Sequence, residues 1–161
     1  CQISNTDWCH SDDNFSEDGQ LQESRMDRRV ESEANLLGVV FTFPGIMTAA
    51  PYEVIDDSHW CFEGTGLRNG DTFGEKSLHQ RVPGGASGHE TDKMSAHSPA
   101  GTKLLARGLN PESGGAEIVH FTCDSGGEVF SVGSICWNAS ILVDAAVSQI
   151  TKNVIMRNSD R

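Results

Sequence analysis

A first candidate for chemistry is the segment from His59 to Gly66, which reads His-Trp-Cys-Phe-Glu-Gly-Thr-Gly. If the chain is a strand as far as Phe62, alternate side chains point to opposite faces. Glu63 then stands where the strand ends and a glycine-rich turn begins, which is where open α/β sheets bind ligands. Aromatic neighbours disfavour an ionised carboxylate, so Glu63 is a candidate general acid or base. The alternative is that Glu63 only caps the turn.

A second candidate is the segment Pro83–Lys93, which reads PGGASGHETDK. Its glycines allow backbone amides to approach a ligand closely. His89 would be a base that switches near neutral pH, Glu90 and Asp92 supply carboxylates, and the segment ends on an ammonium group. The signatures of phosphate loops and dinucleotide-binding loops are absent. The segment could equally be structural, with Glu90 and Asp92 bound to backbone amides or paired with the lysine.

Cysteine nucleophiles and metal cages are not indicated. No cysteine has the small flanking residues of a nucleophile elbow, and there is no CxxC or HExxH spacing. The cysteines are therefore expected to be small buried hydrophobes in a reducing compartment. The single histidines His79, His97 and His120 are expected to be ordinary surface or core residues.

Length and charge limit the class of protein. The 161 residues are enough for one domain, and the net charge of −11 carries no basic stripe, which excludes nucleic acid as a partner. No apolar run is long enough to span a membrane, and the expected location is cytoplasmic. Residues 1–35 hold nine acidic and three basic side chains and few large apolar ones. We expect a loosely ordered extension over residues 1–35 and an α/β domain over 36–161.

The elements that would position these residues are predicted from hydrophobic patterning. Residues 36–43 (LLGVVFTF) are typical of a strand buried on both faces in a parallel sheet covered by helices. A β-hairpin is predicted around a turn at residues 124–127, and a helix capped by Asp144 is predicted to continue to about Arg157. The remaining predicted strands are 77–82, 102–108, 116–123 and 128–135.

Several longer stretches resemble one known family. They are LLGVVFTFPGIMTAAPYEV, HWCFEGTGL, GDTFGEKSLH, PGGASGHETDK, LLARGLNPESGGAEIV and SGGEVFSVGSICW, followed by ILVD and VSQITKNV. Together they resemble the C-terminal part of the large (beta) subunit of N,N-dimethylformamidase and its relatives over about residues 34–157. The chain is therefore expected to be a piece of a longer protein.

The resemblance implies a fold and a site. The fold would be a Rossmann-like three-layer α/β sandwich of the class I glutamine-amidotransferase type, without that family's cysteine. The family holds a mononuclear iron with two tyrosines and a glutamate. Tyr52 is the single tyrosine here, so iron would be bound by residues upstream and this chain would carry no cofactor itself. The family also uses a further catalytic glutamate, for which Glu63 is the better match and Glu90 the second.

Two hypotheses of function follow. In the first, the chain is the C-terminal piece of an amidohydrolase acting on the C–N bond of a small linear amide. Glu63 or Glu90, with His89, would take part in hydrolysis at a metal site completed by upstream sequence or another subunit. In the second, the chain is a non-catalytic α/β scaffold or subunit-interaction module. Fold resemblance alone does not choose between them.

Overall fold

The structure, a computed structural model, describes residues 32–42 and 44–159. In chain order its elements are α1 (Ala34–Leu37), β1 (Val40–Thr42), β2 (Ala49–Ala50), β3 (Tyr52–Val54), a 3-10 helix (Trp60–Phe62), β4 (Thr72–Phe73), β5 (Ser87–Gly88), β6 (Thr91–Lys93), β7 (Lys103–Gly108), a second 3-10 helix (Pro111–Ser113), β8 (Glu117–Thr122), β9 (Glu128–Ser131), α2 (Trp137–Ser140) and α3 (Ala145–Ser159).

The centre of the fold is a five-stranded sheet in the order β4-β3-β7-β8-β9. All four strand pairs in this sheet are antiparallel. Two short antiparallel ribbons, β1 with β6 and β2 with β5, lie outside it. The sheet contains the longest strands, β7 and β8, and therefore sets the position of the other elements.

The two faces of the sheet are covered by different elements. On one face, Ile118 of β8 belongs to the same buried cluster as Val147 and Ile150 of α3. Side chains alternate along a strand, so Val119 and Phe121 point to the other face. There they pack against Gly38, at the end of α1. The core therefore lies mainly between the sheet and α3.

The expected Rossmann-like three-layer sandwich is wrong, and the fold is β-rich. The strands paired in the described ranges are antiparallel, whereas a parallel sheet needs long crossover connections that usually contain a helix. The one long helix among the described elements, α3, follows the last strand and so joins no two strands. The amidotransferase-type architecture is thereby overturned.

The Rossmann-like architecture was implied by the family resemblance, and the parallel sheet was also expected from residues 36–43. Residues 34–37 form α1, and Gly38 ends it with a left-handed φ of 77° while its N–H bonds the Ala34 carbonyl. Only Val40–Thr42 are a strand, and Leu36 is 71% exposed. A short apolar run cannot be assigned to helix or strand by periodicity alone. Phe43 and residues 1–31 of the predicted 1–35 extension lie outside the described residues, while Ala34 and Asn35 of that extension belong to α1.

Several local predictions are confirmed. Strands β7 and β8 occupy the predicted 102–108 and 116–123 segments, and β8 pairs with β9 across the predicted turn. The Asp144 carboxylate accepts from the N–H groups of Ala146 and Val147, which caps α3 as predicted. The predicted strand at 77–82 is wrong, because that segment is irregular. Across residues 32–42 and 44–159, no helix is long and apolar enough to cross a bilayer.

Candidate functional site

Glu63 lies on the wall of an open cleft of about 510 Å³, called here the Glu63 cleft. The expected strand over His59–Phe62 is wrong, because Trp60–Phe62 form a 3-10 helix and His59 is its N-cap. Glu63 is the C-cap residue, and its N–H bonds the Trp60 carbonyl. The backbone of Glu63 therefore caps a turn, as the alternative interpretation of this residue expected. The lining residues are Asp57, Ser58, His59, Phe62, Glu63, Gly64, Gly66, Leu67 and Arg68.

One residue of α3 holds the wall of the cleft. The Asn153 side-chain amide donates to the carbonyl of Cys61 and to that of Glu63, each at 2.8 Å. Gln149, one turn earlier on α3, donates to the Asn153 side-chain oxygen at 2.7 Å. These bonds join the 3-10 helix to α3 across about 90 residues of sequence. The backbone of Glu63 is therefore held in position by a side chain of a helix that is distant in sequence.

Behind the cleft wall lies a pair of buried imidazoles. Nε2 of His59 is 3.2 Å from Nδ1 of His120, while Nδ1 of His59 accepts from the Cys61 N–H at 3.3 Å. The two residues are 7% and 8% exposed. Burial, with a smaller contribution from the charge on His120, lowers the pKa of His59 to about 4. Burial also lowers the pKa of His120. Both rings are therefore neutral near pH 7.

Charged groups extend this arrangement toward solvent. Nε2 of His120 lies 3.7 Å from the Glu128 carboxylate, which is too far for a hydrogen bond. Within the described residues this nitrogen has no hydrogen-bond partner. Arg157 donates to both Glu128 oxygens at 2.8 and 3.0 Å and lies 4.7 Å from the centre of the Trp60 ring. The hydrogen bonds to Glu128 raise the pKa of Arg157, with a smaller contribution from the Glu63 carboxylate. We call His59, His120, Glu128 and Arg157 the buried histidine cluster.

The sequence contained a signal for this cluster that the expectation for His120 missed. Side chains alternate along β8, so His120 shares a face with the core residue Ile118. The hairpin register pairs His120 with Phe130, which places Glu128 on the same face. A histidine at an apolar position of a predicted hairpin, two pairs from a glutamate, identifies a candidate buried pair. The contribution of His59 comes from a distant segment and carries no such signal.

The second predicted segment lies elsewhere, because neither His89 nor Glu90 is among the residues that line the Glu63 cleft. Both are half-buried, in the turn between β5 and β6. Nδ1 of His89 is 3.2 Å from Nε2 of His79. Glycines in this segment serve close packing, since a Cβ at Gly85 would lie 2.3 Å from backbone atoms of Ala50. The catalytic roles proposed for Glu63, Glu90 and His89 stay predictions.

Two of the described cysteines are small core residues, as predicted for the cysteines of this chain. Cys61 and Cys136 are fully buried, and burial raises the pKa of their thiols to about 12 and about 11. A thiol with such a pKa is protonated near pH 7 and is a poor nucleophile. Cys123 is half-buried.

The described residues do not fit the iron site that the resemblance implies. Tyr52, the single tyrosine of the chain, is fully buried, and its hydroxyl donates to the Val132 carbonyl at 2.7 Å. Burial raises the pKa of this phenol, which opposes the phenolate form that a metal would need. Within the described ranges, no three histidine, cysteine or acidic side chains are grouped so that they could hold a metal ion. Tyr52 is a core residue here.

Comparison with known proteins supplies the family. A search of curated proteins finds no match to this chain. A family described as N,N-dimethylformamidase beta subunit-like, C-terminal, matches residues 5–150. The match starts well before residue 34, where the resemblance seen in the sequence begins, and it covers most of the chain. The chain therefore belongs to the family of N,N-dimethylformamidase beta subunit-like C-terminal domains.

Proposed function

We propose that this chain is the C-terminal domain of an amide hydrolase and that its Glu63 cleft forms one wall of the site where a small amide is cleaved. The observation that carries the proposal is the position of an exposed glutamate on a polar cleft in a chain of this family. Hydrolysis of an amide needs a group that accepts a proton from water and one that supplies a proton to the departing amine. A single carboxylate can do both in turn.

Other cleft residues have supporting roles in this proposal. Arg68 is 3.7 Å from Asp57 at the cleft rim and offers a cation that could contact the amide carbonyl. Both ring nitrogens of His59 are engaged, by Cys61 and by His120, so His59 holds the wall and does not contact the substrate. The remaining walls would come from upstream sequence or from another subunit. Any iron would be held there as well, and no step assigned to Glu63 depends on it.

The test is turnover of N,N-dimethylformamide by the full-length protein with its partner subunits. We expect Glu63→Gln to lower kcat by at least about 100-fold, because a general acid–base group contributes about 10² to 10⁴. The melting temperature should not change, since Glu63 uses its backbone and not its carboxyl group in the structural hydrogen bonds described above. Glu75→Gln is the matched control, because Glu75 is exposed and lies outside the cleft lining.

Wild-type turnover by Glu63→Gln would remove Glu63 from the mechanism. Glu90→Gln and His89→Gln then test the second segment in the same assay. Loss of activity in either of these, with full activity in Glu63→Gln, would move the proposed site to the turn between β5 and β6.

The alternative, a subunit-interaction module, is favoured by exposed apolar side chains around α2. Leu142 is 85% exposed, Leu78 is 60% exposed and Ile135 is 44% exposed. Leu78 lies next to α2, because its N–H bonds the Ala139 carbonyl. If this surface binds another subunit, Leu142→Asp should weaken assembly, measured by analytical ultracentrifugation, with an unchanged melting temperature. Leu142→Met is the control that keeps an apolar side chain.

A further inference from the structure

His79 and His89 form a hydrogen-bonded pair of imidazoles. The direction of the hydrogen bond between them is fixed by the surrounding backbone. Nδ1 of His79 accepts from the Val82 N–H at 3.0 Å. A backbone N–H can only donate, so Nδ1 of His79 must present its lone pair. A neutral imidazole has one protonated nitrogen, and the proton of His79 is therefore on Nε2.

That proton decides the state of the second ring. Nε2 of His79 is 3.2 Å from Nδ1 of His89. Because the first nitrogen donates, Nδ1 of His89 must accept, and a neutral His89 then carries its own proton on Nε2. The same proton prevents Nε2 of His79 from binding a metal, since a ligating nitrogen needs its lone pair. The 3.2 Å separation is thus a hydrogen bond and not the spacing of two ligands on one cation.

The backbone of His89 is held as firmly as its ring. His89 has a left-handed φ of 68°, which is a strained conformation for a residue other than glycine. Its N–H bonds the Thr48 carbonyl at 3.0 Å, and its carbonyl accepts from the Met47 N–H at 2.9 Å. These bonds to the segment before β2 keep the strained conformation in place. Nε2 of the half-buried ring has no hydrogen-bond partner in the part of the chain that the structure describes.

The buried histidine cluster also contains two imidazoles whose tautomers are fixed by a backbone N–H. The surroundings of its last ring nitrogen are different. The Cys61 N–H fixes the His59 tautomer, and His59 fixes that of His120 in turn. There the last Nε2 is buried and faces Glu128, which Arg157 already binds. The His79–His89 pair differs because the ring of His89 is half-buried and no carboxylate faces it in the contacts described. Nε2–H of His89, which has no partner among the described residues, can therefore donate to a ligand.

We propose that His79 is a positioning residue that holds His89 as a hydrogen-bond donor through Nε2–H, directed at a carbonyl or carboxylate oxygen of a ligand. An effect on turnover rests on the second placement considered under the proposed function, in which the site is at the turn between β5 and β6, because His89 does not line the Glu63 cleft. The tautomer itself does not depend on that function.

The direct test is NMR of the full chain with ¹⁵N-labelled histidine at a pH of about 8, where an ordinary imidazole is neutral. We expect a pyridine-like Nδ1 and a pyrrole-like Nε2 for His89, and a scalar coupling across the bond from Nε2–H of His79 to Nδ1 of His89. In His79→Phe the coupling should vanish and the two His89 nitrogen shifts should move toward each other as both tautomers become populated. His79→Gln keeps a donor and should restore the wild-type shifts.

A proton on Nδ1 of His89 in the wild type, or His89 shifts that do not respond to His79→Phe, would overturn the proposal. If the site is at the turn between β5 and β6, His79→Phe should lower kcat about tenfold, the equivalent of one hydrogen bond, and His79→Gln should recover most of the loss. His97→Phe is the exposed control. If the NMR result holds while His89→Ala, which has no side-chain donor, stays fully active, the donor assignment stands and the catalytic role of His89 fails.

Discussion

At the level of single residues, His59 shows how local contacts remove a side chain from chemistry. It lines the Glu63 cleft, and its residue type alone would suggest a general base. The Cys61 N–H and the His120 ring occupy its two nitrogens. An imidazole in this position acts through packing and through its neutral charge state. Protonation would break its contacts and leave a charge in the core.

The pH dependence of stability measures this arrangement. The pKa of His59 is about 4 in the folded protein against about 6.5 in an unfolded chain. The unfolded state therefore binds more protons between these values, and stability is lost as the pH falls from about 6.5 toward 4. We expect a loss of roughly 1–2 kcal/mol between pH 7 and pH 5, measured by urea unfolding.

His59→Gln is the informative variant, because it cannot take up a proton. Its urea midpoint should fall less between pH 7 and pH 5 than that of the wild type. His97→Gln, at an exposed position, should behave as the wild type does. Equal slopes in the wild type and His59→Gln would show that the buried pair does not govern acid stability.

At the level of elements, α3 does more than cover the sheet, because Asn153 fixes the cleft wall. Removing its amide would leave the carbonyl groups of Cys61 and Glu63 without these donors. We expect Asn153→Ala to destabilise the fold by about 1–3 kcal/mol. Amide hydrogen exchange over residues 61–66 should increase, which separates a local effect on the wall from a general loss of stability.

Lys152→Ala is the control for Asn153→Ala, since Lys152 is exposed on the same helix. It should change neither the stability nor the exchange of the cleft wall by a measurable amount. If exchange over residues 61–66 is the same in Asn153→Ala and the wild type, the wall is held by other contacts.

The elements that the sequence predicts are those with local signals. The Asp144 cap defines the start of α3, and the residues between β8 and β9 define a hairpin within a few positions. By contrast, the role of Asn153 depends on partners about 90 residues away. The 3-10 helix at Trp60–Phe62 could not be predicted from the sequence either, because a short apolar segment adopts the conformation that its tertiary contacts favour.

For the whole molecule, the relative direction of the strands is the property that the sequence did not reveal. Continuous apolar residues at 36–43 indicated burial correctly for Val40 and Phe41, which are 2% and 3% exposed. Burial in a parallel sheet was a further step, and it was wrong, because β1 pairs with β6 in a short antiparallel ribbon. Strand direction depends on how long segments return, and no local pattern specifies it.

Close crossings of the backbone hold these returning segments together, and glycines permit them. The Gly108 N–H bonds the Ala116 carbonyl at 2.8 Å, and a Cβ at Gly115 would lie 1.7 Å from the Gly108 oxygen. Gly115 has an ordinary φ, so its requirement is space and not conformational freedom. Gly115 belongs to the segment LLARGLNPESGGAEIV that supports the family resemblance, and at this position the segment has a structural role.

Gly115→Ala should therefore destabilise the protein more than ordinary overpacking does, by about 3 kcal/mol or more, because backbone atoms cannot move aside as side chains can. Gly127→Ala is the matched control, since Gly127 also lacks a positive φ and the nearest atom to its added Cβ is 3.9 Å away. It should change stability by less than about 1 kcal/mol. The urea midpoints of the two variants measure this difference in stability. Circular dichroism shows whether Gly115→Ala folds at all. Equal midpoints would mean that the β7–β8 crossing opens easily, and the sheet would then be less rigid than its glycine contacts require.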